Sequence, residues 1–200
     1  LRTCFDIRRE VLGPTHRKTL AAINNVATVL EEQSKVAEAE ALYASVLPLV
    51  RGALGESHPD TLNILDNYAV LKNTQRQFAE AEQLHRFVLK GLQAVRGSKH
   101  PEVLRSMNNV ATCLFDQGKV QAALEMLRAC QAMAEEGLNS RHLLTINVYG
   151  NMAEAYARLG MLDTAEHCFK LSAAGRCEIL GPDEPESREA LAKLRQFLEE

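Results

Sequence analysis

Tryptophan is absent, and aromatic residues make up only 5% of the chain. No apolar run approaches the ~20 residues that cross a bilayer, which argues against membrane insertion. The N-terminus lacks the charged, apolar and small-residue zones of a secretory leader. The formal net charge of -3 offers no basic excess of the kind that neutralises a phosphate backbone, so nucleic acid is not an expected partner. The five cysteines, Cys4, Cys113, Cys130, Cys168 and Cys177, form no CxxC pair and leave an odd one over. That usage fits a reducing compartment better than a disulfide framework, and the expected location is cytoplasmic. There is no Gly-rich phosphate loop, no GxSxG, no HExxH and no carboxylate pair in a pocket-like setting. No catalytic residue, cofactor or metal site is therefore expected, and the chain is not expected to be an enzyme. It begins at Leu1, which suggests a segment of a longer protein.

What the sequence has instead is a period. Gly13, Gly55, Gly97, Asn139 and Gly181 recur at a constant step of 42 residues. The same step carries His16, His58, His100 and His142, then Leu20, Leu62, Leu104 and Ile146. It also carries Ala27, Ala69, Ala111 and Ala153, and Ala39, Ala81, Ala123 and Ala165. Within one unit Leu20, Ile23, Val26, Ala27 and Leu30 follow the three-and-four spacing of an amphipathic helix, as do Ala39, Leu42, Tyr43, Val46 and Leu49.

Each unit thus reads as two antiparallel helices separated by a polar break at Ser34, Arg76, Gly118 or Gly160. Between units, Gly55 closes one helix, and Ser57 or His58 followed by Pro59 opens the next. Pro48 should kink or shorten the second helix of its hairpin. Sustained period-two alternation and Asn-Gly hairpin signals are lacking.

The expected fold is all-α, with hairpins burying their apolar faces against neighbours. Residues 1–12 read as the end of a preceding repeat, and 13–54, 55–96, 97–138 and 139–180 as repeats. Residues 181–200 read as a terminal capping helix, in which Lys193 and Arg195 replace the asparagine and alanine of the pattern, as suits an outer face meeting water.

Two alanines twelve residues apart, with bulky residues at Ile23, Leu65, Met107 and Tyr149, match the tetratricopeptide pattern better than that of HEAT or armadillo repeats. The segments LGESHPDTL at 54–62, NNVA at 24–27 and 108–111, and AEAEALY at 37–43 resemble the repeats of kinesin light chain and nephrocystin-type proteins. The resemblance implies a right-handed superhelical solenoid. Generic tetratricopeptide units repeat every 34 residues, so the longer period must extend the helices or their links.

The resemblance further implies that the first helix of each hairpin lines a concave groove holding an extended peptide or partner segment. The matching polar positions are Asn63, Arg105 and Asn147, with Asn24, Asp66 and Asn108. They continue in the series Asn25, Asn67, Asn109 and Asn151, and in Thr28, Thr112 and Glu154, with Arg158 one turn beyond. Asparagine is a poor helix-interior residue, so its recurrence at one helical position suggests a task. An amide offers both donor and acceptor to a peptide backbone, but it can equally bond the adjoining helix and fix the stacking of repeats. Both readings stand at this point.

Glu31, Glu32, Asp66, Asp116 and Glu154 outnumber Arg105 and Arg158, so the groove leans acidic. That balance favours a mixed or basic-flanked peptide over the acid-flanked tryptophan peptides of kinesin light chains.

The recurring histidines cannot share a metal, because equivalent positions in stacked repeats lie ~8 to 10 Å apart while zinc ligands stand near ~2 Å. A helix-start role is expected of them, with a pH-sensing ladder as the other reading. The cysteines fall mostly in the core pattern, and Cys177 alone lies near a helix end. The resulting expectation is an adaptor for protein or peptide partners, resembling the cargo-binding part of kinesin light chain, with a motor heavy chain or cargo reached through the parent protein. A structural spacer, or the regulatory arm of a multidomain enzyme or signalling protein, is the alternative.

Overall fold

The computed structural model describes residues 2–137 and 142–199, with side chains from residue 7 onward. Leu1 and Asn139 lie outside the described residues, as does the side chain of Cys4. Ten helices follow in order among the described residues: α1 (Arg2–Leu12), α2 (Arg17–Glu32), α3 (Val36–Leu54), α4 (Pro59–Thr74), α5 (Phe78–Arg96), α6 (Pro101–Asp116), α7 (Val120–Gly137), α8 (Leu143–Arg158), α9 (Leu162–Leu180) and α10 (Pro185–Glu199). None of them is long and apolar enough to cross a membrane. The chain forms two compact units, Leu1–Val95 and Arg96–Glu200.

The ends of the first helices are set by local chemistry. His16, His58, His100 and His142 are the N-caps of α2, α4, α6 and α8, each in extended backbone. In each the imidazole Nδ1 accepts the backbone N–H two residues on, at 3.1 to 3.2 Å. One orphan donor of the helix start is thereby satisfied.

Each hairpin turn places one residue in the left-handed region: Ser34 at φ 59°, Arg76 at 63°, Gly118 at 78° and Gly160 at 73°. The residue after it donates back to the helix, as in Lys35 N–H to Leu30 O at 2.8 Å and Gln77 N–H to Lys72 O at 2.9 Å. This is the Schellman closure, and it recurs in all four hairpins. At Ser34 and Arg76 a side chain occupies a conformation that suits glycine, at a cost of roughly 1 kcal/mol each.

The longer period resides in the helices. First helices run 16 residues and α3, α5 and α9 run 19, while the link between α3 and α4 is only residues 55–58. The alanines at 27, 69, 111 and 153, and at 39, 81, 123 and 165, are all fully buried, as small residues must be where paired helices approach closely.

In the first unit the core joins Leu20, Ile23 and Leu30 of α2 to Tyr43, Val46 and Val50 of α3, with Leu62 and Leu65 of α4 and Val88 and Leu92 of α5. In the second it joins Leu104, Met107 and Leu114 of α6 to Leu124, Leu127 and Cys130 of α7, with Ile146 and Met152 of α8 and Phe169 of α9.

Two expectations for α3 require correction. Leu49 is 52% exposed, and the buried stripe ends on Val50 instead, because the apolar face drifts round the helix over four turns. Pro48 does not shorten its helix, which at 19 residues equals α5 in length. Pro48 is on the exposed face, so the carbonyl that its missing N–H leaves free looks toward water.

Candidate functional site

In α8 the polar positions Asn147, Asn151, Glu154 and Arg158, spaced four, three and four residues apart, fall on the side of the helix opposite its buried stripe. In the first unit Asn63 of α4 is the meeting point. Its Oδ1 accepts from Asn24 Nδ2 of α2 at 3.4 Å and from Asn67 Nδ2 at 3.3 Å. Asn24 Oδ1 is buried with no partner among the described residues. Asn25 is exposed on the same helix. In the second unit Asn151 Nδ2 of α8 donates to Asn108 Oδ1 of α6 at 2.8 Å, while on α6 Asn109 is partly exposed and Arg105 exposed.

Thr28 and Thr112 donate their hydroxyls to the carbonyls of Asn24 and Asn108 in their own helices, both at 3.1 Å. Each keeps only acceptor capacity for a ligand.

Asp66 does not belong with this surface. It is 4% exposed, and its Oδ1 stands 2.8 Å from Nδ1 of His85 on α5. The other copies of this position are asparagine or glycine, but a histidine in the facing second helix draws the carboxylate inward.

A cavity of about 330 Å³ opens in the second unit, lined by Asn108, Asn147, Asn151 and Glu154 together with Ser172 and Arg176 of α9 and Glu186, Glu189 and Lys193 of α10. Arg176 Nη2 donates to Asn147 Oδ1 at 2.8 Å, and its Nη1 donates to Ser172 Oγ. Lys193 spans from α10 to Glu154 of α8 at 2.8 Å and reaches Glu189 at 3.3 Å. The hydrogen bond to Glu154 holds the Lys193 ammonium above its ordinary pKa, against the opposing effect of its partial burial. Lys193 therefore closes one side of the cavity and does more than dress an outer face, whereas Arg195 is exposed.

A second hollow of about 470 Å³ adjoins the first across Glu154, Phe169 and Lys193. It is walled by Phe115, Phe197 and Arg158, whose guanidinium lies 5.1 Å from the Phe115 ring centroid. Phe169 and Phe197 pack with centroids 5.1 Å apart.

The amides at this cavity recur in the sequence, whereas Arg176 and the aromatic wall lie outside that recurrence. The signal for Arg176 was present, since its equivalents one, two and three repeats earlier are Ala134, Leu92 and Val50. The buried cysteines behave as core. Cys130 Sγ donates to Leu104 O at 3.2 Å, and burial pushes its thiol pKa up to about 12.

Comparison with known proteins agrees with this architecture. The chain is similar in fold to the nearly identical TPR-like repeats assigned to a kinesin light chain of Podosopora anserina, with a TM-score of 0.75 and 24% identity over 93% of this chain and 88% of that one. It is also similar to BtubC (BKLC) from P. vanneervenii, with a TM-score of 0.71 and 18% identity over 82% of this chain and 65% of that one. YrrB, a TPR protein with an unusual peptide-binding site, superposes with a TM-score of 0.55 and 16% identity over 96% and 91% of the two chains. No curated protein matches. The tetratricopeptide repeat family model matches in three overlapping registers, residues 19–90, 60–136 and 102–178, and the chain belongs to the tetratricopeptide repeat family.

Proposed function

We propose that the chain is a protein-interaction module that holds an extended peptide or partner segment along the amide-bearing faces of its first helices. The carrying observation is the cavity beside Asn108, Asn147 and Asn151, where amides from two successive first helices converge next to an aromatic hollow. Amides supply backbone-directed hydrogen bonds that do not depend on peptide sequence, and the neighbouring hollow supplies the apolar selectivity. Within the second unit the partly exposed Asn109 of α6 offers the same chemistry, and within the first unit the exposed Asn25 and the partly exposed Asn67 do so. Likeness to kinesin-light-chain repeats makes a motor heavy chain or its cargo one class of partner for the parent protein. A regulatory arm of a larger enzyme would use the same face.

A second reading is favoured by the 2.8 Å bond between Asn151 and Asn108, which ties α8 to α6 without any ligand. On that reading the amides fix repeat stacking and the chain is a spacer packing against other domains. Replacing Asn147 and Asn151 by alanine separates the two. Loss of about two net hydrogen bonds to a peptide weakens binding roughly thirtyfold. If the amides serve stacking alone, the double variant lowers the urea midpoint, and no peptide from a display library binds either protein.

A further inference from the structure

Three departures from the repeat meet in the α8/α9 hairpin. The slot of Val46, Val88 and Cys130 becomes Ser172, and the slot of Val50, Leu92 and Ala134 becomes Arg176. Those six equivalents are buried and apolar, while Arg8 of α1 holds the slot of Arg176 ahead of them. The slot of Asn24, Asp66 and Asn108 becomes Gly150, and a Cβ there would stand 3.0 Å from Ser172 Oγ and 3.6 Å from Arg176 Nη1. Removing the side chain at 150 is what leaves room for the hydroxyl and the guanidinium.

Arg176 is only partly exposed, yet both of its hydrogen-bond partners, Asn147 and Ser172, are neutral. No carboxylate lies within ion-pair distance of it among the described residues. Glu154 and Glu189 at the same cavity are already engaged by Lys193. A partly desolvated guanidinium held by neutral groups and lining an open cavity is complementary to a carboxylate through its remaining N–H donors.

We infer that this cavity receives a single carboxylate, the side chain of one aspartate or glutamate in the bound peptide. Glu186 and Glu189 stand on α10 at the same cavity and disfavour a second acid. The preferred segment therefore carries one acidic residue with uncharged or basic neighbours. The inference rests on the peptide-binding reading above and assigns its anchor.

A random heptapeptide display library selected on the full chain tests it. The expected result is a shared Asp or Glu at one place with no acid beside it, and a resynthesised peptide that binds at least about tenfold more weakly after Glu→Gln. Arg176→Leu restores the residue of the slot at Leu92 and should bind the Glu and Gln peptides equally. Arg176→Gln removes the charge while keeping a polar side chain, and gives the same comparison should the leucine variant unfold. Peptides selected without a fixed acid, or a Glu preference that survives in both variants, would overturn the carboxylate anchor and leave the peptide-binding reading intact. Selection of no peptide at all would overturn both.

Discussion

The carboxylate of Asp66 and the imidazole of His85 meet at 2.8 Å, each almost wholly excluded from water. The equivalents of Asp66 are Asn24, Asn108 and Gly150, and those of His85 are Tyr43, Leu127 and Phe169, so a buried ionisable couple occurs in one hairpin alone. Removing either half deprives the other of this contact. His85→Leu should cost about 3 kcal/mol because Asp66 stays buried without this partner. Asp66→Asn combined with His85→Leu reproduces the Asn108/Leu127 pairing and should recover most of that loss. Urea midpoints of the single and double variants measure the coupling.

The histidine caps make a second prediction. His58 Nδ1 accepts the Asp60 N–H at 3.2 Å, and Pro59 needs no partner. His58→Ala should destabilise by about 1 kcal/mol, while His58→Asn, whose side-chain oxygen can make the same bond, should lose only a few tenths. Equal losses in the two variants would mean that the imidazole matters through its packing instead.

Lys72 occupies the slot of Leu30, Leu114 and Tyr156, and its Nζ lies 2.6 Å from Glu40 Oε1. The hydrogen bonds from Lys72 and Gln75 hold the Glu40 carboxyl below its ordinary value of 4.5. A depressed folded pKa gives stability that is complete above the ordinary value and is lost as pH falls through the folded one. The wild type should therefore lose this contribution below about pH 4.5. In Lys72→Met the Glu40 pKa moves back toward the ordinary value, and that part of the acid loss shrinks. The gap between wild-type and variant urea midpoints should narrow from pH 6 to pH 3, and a gap independent of pH would refute the linkage.

The helix ends were legible because their causes are local: a histidine before proline, a glycine in a left-handed turn, and a period that repeats both. The burial of Asp66 and Lys72 and the partial burial of Arg176 were not legible by the same means. Position in the repeat assigns each residue the role of its equivalents, but Asp66 pairs with His85 of the facing helix, Lys72 with Glu40 of α3, and Arg176 with Asn147 of α8 and Ser172 of its own helix. Leu49 misled for a related reason. Its slot reads Leu49, Gly91, Met133 and Gly175, a mixture that no single core position would tolerate. Among the candidate site residues the amides recur along the sequence, whereas Arg176 follows three apolar residues of its slot, Val50, Leu92 and Ala134, and matches only Arg8.

That mixed slot supplies the last prediction. A Cβ at Gly175 would stand 2.6 Å from Cδ1 and 2.7 Å from Cγ1 of Ile146, which is 2% exposed and has no open space to turn into. Alanine improves helix propensity by about 1 kcal/mol over glycine. Overpacking a filled core costs typically 1 to 3 kcal/mol, so Gly175→Ala should be destabilising by about 1 kcal/mol on balance. Adding Ile146→Val removes the nearest methyl and should return part of the loss. Because Arg176 follows directly and Asn147 follows Ile146, any separation of α9 from α8 also lengthens the 2.8 Å bond that aims the guanidinium. Gly175→Ala should therefore reduce a Glu-over-Gln peptide preference under conditions where circular dichroism shows the helices intact, and an unchanged preference would uncouple the close helix approach from the placement of Arg176.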